Sequence, residues 1–197
     1  AVPGANLTAA RSYLAATGNS DSGYFGGGAP GPTALMDKVT YSSDTTAAVP
    51  GANLTAARSY LAATGNSTHG YFGGGLPGPK STMDKTTYSS DTTAAVPSGA
   101  NLSVARYRLA ASSARANGFP NIIVLNPAPS SLATRFLDGV GEVPNTGYFG
   151  GGVSTTSLMD KVTYSSDTTA AVPGANLSVA RYRLAATGNS THGYFGG

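Results

Sequence analysis

The residues able to do chemistry in this chain are few, and nearly all of them recur. Two histidines, His69 and His192, stand in copies of one Ser-Thr-His-Gly turn. Aspartate and lysine are neighbours at Asp37-Lys38, Asp84-Lys85 and Asp160-Lys161, and a second aspartate follows in each copy at Asp44, Asp91 and Asp167. Arginine recurs at Arg11, Arg58, Arg106 and Arg181, and a Gly-Tyr-Phe-Gly phrase places tyrosine at Tyr24, Tyr71, Tyr148 and Tyr194. Carboxylates that share acid and base work need unlike surroundings to separate their pKa values. Residues copied into every repeat receive like surroundings, which points to repeat-level work. Asp44, Asp91 and Asp167 are read as turn formers or as partners of the repeated arginines. The four tyrosines are read as core or inter-repeat aromatics. His69 and His192 are candidates for ligand contact on loops at one rim. There is no cysteine, hence no thiol nucleophile, disulfide or thiolate metal site. No spacing of a zinc or calcium loop occurs. Neither catalytic residues nor a cofactor or metal is expected.

The elements that must position these residues follow from the repeat. Ala1 to Ser20 recurs at Ala48 to Ser67, GYFGGG begins at Gly23, Gly70 and Gly147, and GYFGG begins at Gly193. The phrase MDKxTYSSDTTAAVP starts at Met36, Met83 and Met159. Tyr24 and Tyr71 lie 47 positions apart, and Tyr148 and Tyr194 lie 46 apart, periods shared by propeller blades and paired helices. Local pattern favours strands. Asp37, Val39 and Tyr41 alternate with Lys38, Thr40 and Ser42, a period of two rich in β-branched and aromatic members. Gly65-Asn66-Ser67 is turn chemistry between two runs and predicts a hairpin. TTAAV supplies a short fourth strand that ends at Pro50-Gly51. NLTAARSYLAA is a helical alternative, with Asn53 or Thr55 as cap, but Pro and Gly bracket it closely.

An Arg before the first strand, an aromatic-Gly-Gly ending to the second and a third strand closing on a polar turn resemble the kelch repeat. The wording is similar to GYFGGG-type arrays of phage tail-fibre and structural proteins, notably those of cyanobacterial phages. One departure is the absence of any Trp, which kelch repeats usually carry in the fourth strand. The resemblance implies an all-β fold of four-stranded antiparallel propeller blades, either an incomplete ring or part of a longer array. The blades would span residues 10–50, 57–97 and 105–173, with a half blade at 180–197. Residues 112–145 interrupt the third as an insertion or a diverged blade, with Ile122 to Leu125 as a strand and Ser130 to Leu137 as a short helix. Gly118-Phe119 would stand in for Gly-Tyr-Phe in the diverged case.

Composition narrows the function classes. Charged residues make up 11%, and the net charge of +3 comes from thinly spread cations, so no phosphate-tracking surface is expected. Eleven Tyr and six Phe suit a β core rather than a disordered chain. No apolar run reaches the ~18 residues of a membrane span. The opening AVPGANLTAAR is an interior piece of the repeat, which predicts that the chain begins inside a longer or processed protein. Six Asn-x-Ser/Thr sequons stand at Asn6, Asn53, Asn66, Asn101, Asn176 and Asn189, copied along with the repeat. The expected function is a structural or adhesive, non-enzymatic part of a virion tail or other extracellular appendage, active in host attachment or fibre assembly. Its partners would be copies of itself or other appendage proteins, with a cell-surface glycan as candidate ligand. A bacterial surface or filament-forming protein with the same repeats is the alternative. A kelch-like enzyme is the remaining one, and no residues here support it.

Overall fold

A computed structural model describes residues 2–113, 145–153, 156–188 and 192–197. Among these residues, fourteen strands fall into four antiparallel sheets, three of four strands and one of two. The first unit holds β1 (Ala15–Gly18), β2 (Ser22–Gly26), β3 (Met36–Thr40) and β4 (Thr45–Ala48). The second repeats it as β5 (Ala62–Gly65), β6 (His69–Gly73), β7 (Met83–Thr87) and β8 (Thr92–Ala95). The third comprises β9 (Ala110–Ser113), β10 (Thr146–Gly150), β11 (Met159–Thr163) and β12 (Thr168–Ala171), and β13 (Ala185–Gly188) pairs with β14 (Gly193–Gly196). Each four-stranded sheet is a meander in chain order. Among the described residues the regular helices are single 3-10 turns such as Pro50–Ala52.

Asparagine and aspartate make the tight turns. The Asn66 amide oxygen accepts hydrogen bonds from the Thr68 and His69 backbone N–H groups at 2.9 and 2.8 Å, which closes the β5–β6 hairpin. Asp44, Asp91 and Asp167 hold φ of 51°, 51° and 49° between the third and fourth strands, a left-handed conformation that Asp tolerates better than most residues. The helical alternative over NLTAARSYLAA does not form, because its capping side chains are engaged elsewhere. The Asn53 amide oxygen accepts from the Met36 backbone N–H at 2.9 Å, and the Thr55 hydroxyl donates to Asp84 at 2.5 Å.

The Tyr-Phe dipeptide explains where the core sits. Successive strand residues point to opposite faces, so Tyr24 and Phe25 leave β2 in opposite directions. Tyr24 and Tyr71 are fully buried against the following unit, and Phe72 and Phe149 are fully buried against the preceding one. The glycine after each Phe leaves room for the next unit's ring: a Cβ on Gly26 would stand 3.0 Å from Phe72. The apolar core therefore lies between sheets, in two clusters. One joins Tyr24, Met36, Leu54, Leu61 and Phe72; the other joins Tyr71, Met83, Leu102, Leu109 and Phe149. The first strands run side by side in the order β1, β5, β9, β13. The fourth strands form the outer edge of each sheet, with three of the four residues in each TTAA exposed.

Ser112 and Ser113 belong to β9, opposite Tyr148 and Gly147. The strand expected at Ile122 to Leu125, the helix at Ser130 to Leu137 and the Gly118-Phe119 pair lie outside the described residues.

Candidate functional site

The repeated arginines take the aspartate of the third strand, not the turn aspartate. Arg11 pairs with Asp37 at 2.5 Å, Arg58 with Asp84, and Arg106 with Asp160 at 2.5 Å, with every side chain at 3% exposure or less. The same guanidinium donates to backbone carbonyls, among them those of Gly27 and Leu35 for Arg11 and of Gly74 and Thr82 for Arg58. Each arginine thus ties its unit's glycine run to the third strand. Arg181 makes no ion pair among the described residues.

Asp91 and Asp167 join consecutive units instead. Tyr24 of the first unit donates its hydroxyl proton to Asp91 of the second, and Lys38 bonds the same carboxylate at 2.9 Å. One unit on, Tyr71 donates to Asp167 at 2.5 Å and Lys85 at 2.7 Å. The rings stack as well, Tyr24 on Tyr88 and Tyr71 on Tyr164, both with centroids 4.9 Å apart. Thr17 meets the Tyr88 hydroxyl at 3.0 Å, and Thr64 meets that of Tyr164 at 2.8 Å. Burial opposes charge on Asp91, yet the bonds from Tyr24 and Lys38 outweigh it and hold the carboxyl below its ordinary pKa; Asp167 behaves alike. Burial, then the neighbouring aspartate, pushes the Tyr24 and Tyr71 hydroxyls well above theirs. This clamp couples neighbouring units, with the tyrosine ring buried and the lysine and aspartate partly exposed.

The clamp also has outward-facing halves. Tyr41 and Asp44, the counterparts of Tyr88 and Asp91, are exposed on the first unit. Tyr41 already lies over Gly23, where a Cβ would stand 2.8 Å from its hydroxyl, as Tyr88 lies over Gly70. At the other end Tyr194, the counterpart of Tyr24, is 60% exposed. Tyr148 is half-buried.

His69 is the first residue of β6 rather than a loop residue, and its Nδ1 lies 2.8 Å from the Thr68 hydroxyl. It borders a polar crevice of about 500 Å3 between the first and second units, with Asp21, Lys38, Tyr24 and Tyr88. Burial, and then Lys85, lower its pKa. His192 is exposed, its ring 6.3 Å from that of Tyr194.

A second concavity, of about 480 Å3, is lined by Tyr13, Tyr60, Arg108 and Arg183 over Leu14, Leu61, Leu109 and Leu184. These four polar residues occupy the same place in successive units. They are joined in a ladder: Tyr60 N–H donates to the Tyr13 carbonyl at 2.9 Å, Arg108 to Tyr60 at 2.9 Å, and Arg183 to Arg108 at 3.0 Å. All four hold left-handed φ, between 54° and 59°. The sequence reading missed this ladder and the Arg–Asp pairing. The signal for the ladder was the change from Arg-Ser-Tyr-Leu in the first two units to Arg-Tyr-Arg-Leu in the last two, a departure inside an otherwise copied phrase.

No protein-family profile matches the chain, and no curated protein matches it. Among the described residues no helix is long and apolar enough to cross a membrane, and no cluster of three or more His, Asp or Glu is placed to hold a metal ion.

Proposed function

We propose that the chain is a kelch-like β-propeller array serving as a structural or adhesive part of an extracellular appendage of the phage tail-fibre type, where it acts in attachment or fibre assembly without catalysis. One observation carries this reading: the Tyr-Lys-Asp clamp joins the first and second units and again the second and third, residue for residue. A chain built this way ties each unit with a buried Arg–Asp pair and joins consecutive units with the clamp, as expected of a repeat scaffold whose stability is a sum of unit and interface terms. Other copies of the chain or other appendage proteins are the proposed partners.

The test is imaging of the purified chain with class averaging across a concentration series, alongside adhesion of the labelled chain to bacterial cells. Discs or fibres together with adhesion support the reading. A monodisperse particle that neither assembles nor adheres at any concentration overturns it.

A further inference from the structure

We propose that the Tyr13–Tyr60–Arg108–Arg183 ladder is a binding site for an acidic oligosaccharide, with a sugar face on Tyr13 and carboxylates on the two guanidiniums. The assignment names the ligand class for the adhesive reading above and rests on it.

Four observations converge on this site. Arg108 and Arg183 sit on adjacent rungs, bonded backbone to backbone at 3.0 Å, so their side chains start about one strand spacing, ~4.8 Å, apart. Like charges on adjacent rungs oppose each other. Neither pairs with a carboxylate among the described residues, whereas Arg11, Arg58 and Arg106 all do. A bound anion removes that repulsion, and the guanidinium fork matches a carboxylate bidentately. Second, the Arg108 guanidinium is already positioned, 4.8 Å from the Tyr60 ring centroid and 5.6 Å from that of Tyr107.

Third, Tyr13 offers an accessible face at the end of the stack. Tyr13 stacks on Tyr60 with centroids 4.0 Å apart and remains 56% exposed. An aromatic face with fixed donors over an apolar floor is the composition of a small-molecule site. Fourth, the ladder is asymmetric. Tyrosine occupies two rungs and arginine two, although the backbone geometry is the same in all four. Each arginine also lies over the tyrosine before it, Arg108 over Tyr107 and Arg183 over Tyr182, both at 5.6 Å, contacts that leave its donors free for an anion. Two arginines without lysines at one end do not track a nucleic-acid backbone, which needs a line of cations.

The fold itself supplies the control variant. Arg108→Tyr with Arg183→Tyr gives the last two rungs the residue that the first two already carry. Binding is measured by titration calorimetry with a short oligogalacturonate, a neutral oligogalactose of the same length, and a carrageenan oligosaccharide, a galactose-based chain that carries sulfates and no carboxylate. The wild-type chain is expected to bind the uronate chain and not the neutral one, with affinity falling as salt rises. The double variant, folded by circular dichroism, is expected to lose about tenfold or more, the worth of at least one charge-assisted contact. Tyr13→Ala is expected to weaken binding without altering its salt dependence. Equal affinity for the neutral chain, or undiminished binding by the double variant, overturns the proposal. Binding of the sulfated chain alone overturns the carboxylate assignment. If no acidic glycan binds while the chain still adheres to cells, the ligand class fails and the adhesive reading stands.

Discussion

Asp160 has one buried carboxylate oxygen, Oδ1, with no hydrogen-bond partner, while its counterparts are fully served. Thr8 donates its hydroxyl to Asp37 Oδ1 at 2.5 Å, and Thr55 donates to Asp84 Oδ1 at 2.5 Å. The third unit has Ser103 at this place, and only its backbone N–H reaches the carboxylate, at 3.1 Å to Oδ2. Serine carries the same oxygen but turns freely about χ1, whereas the β-branch of threonine restricts it. Ser103→Thr should therefore restore the missing bond. A hydrogen bond nets about 1 kcal/mol and somewhat more when the acceptor is charged; the exposed setting of Ser103 argues for the lower figure, about 1 kcal/mol. For a chain of this size that is a rise in Tm of about 2–4 °C. Scanning calorimetry reads the shift, and amide hydrogen exchange should localise the added protection to β9–β12. The converse, Thr55→Ala, strips a buried carboxylate of a donor and should cost about 1–3 kcal/mol. If Ser103→Thr leaves Tm unchanged and Thr55→Ala does too, the hydroxyl-to-aspartate bond is not a stabilising element and the reasoning fails.

Four further outcomes are expected. Arg58→Met leaves Asp84 buried and charged, so a loss of about 3–5 kcal/mol should appear as a lower urea midpoint, with much of it recovered in Arg58→Met/Asp84→Leu. The clamp aspartates have folded pKa values below their unfolded ones, so the unfolded chain binds more protons on the acid side. Their contribution is complete above about pH 4 and is lost as pH falls through the folded values; Asp91→Asn with Asp167→Asn should flatten the acid limb of a stability profile. The raised hydroxyls of Tyr24 and Tyr71 act on the other side: stability holds below about pH 10 and declines above it, and Tyr24→Phe with Tyr71→Phe should reduce that decline. Gly70→Ala would place a Cβ 2.4 Å from Thr17 and 2.8 Å from the Tyr88 hydroxyl, wedging apart the first two units. A loss of about 1–3 kcal/mol is expected by calorimetry, with protection falling first at β1 and β5.

Strand identity was legible because the evidence for it is local. Alternation in MDKVT, asparagine turns and a proline stop after TTAAV act within a few residues, and they place β3, the β5–β6 hairpin and β4. The adjacent Tyr and Phe of GYFG also guarantee opposite faces. What covers those faces is decided only when sheets stack, because Phe72 fills the space over Gly26 from 46 positions away in the chain. The same holds for the ion pairs. Two aspartates per repeat were equally available to the arginine on sequence spacing. The fold gives Asp37 to Arg11, since β3 passes the arginine's glycine run, and leaves Asp91 to reach back to Tyr24 and Lys38. Likewise, a tyrosine replaced by arginine reads as drift along the chain. It becomes an arginine beside an arginine only when backbone bonds align the rungs of successive units. Local chemistry therefore dictated the strands, and the stacking of units, which brings together residues a repeat apart, decided which charges are neutralised and which are left facing solvent.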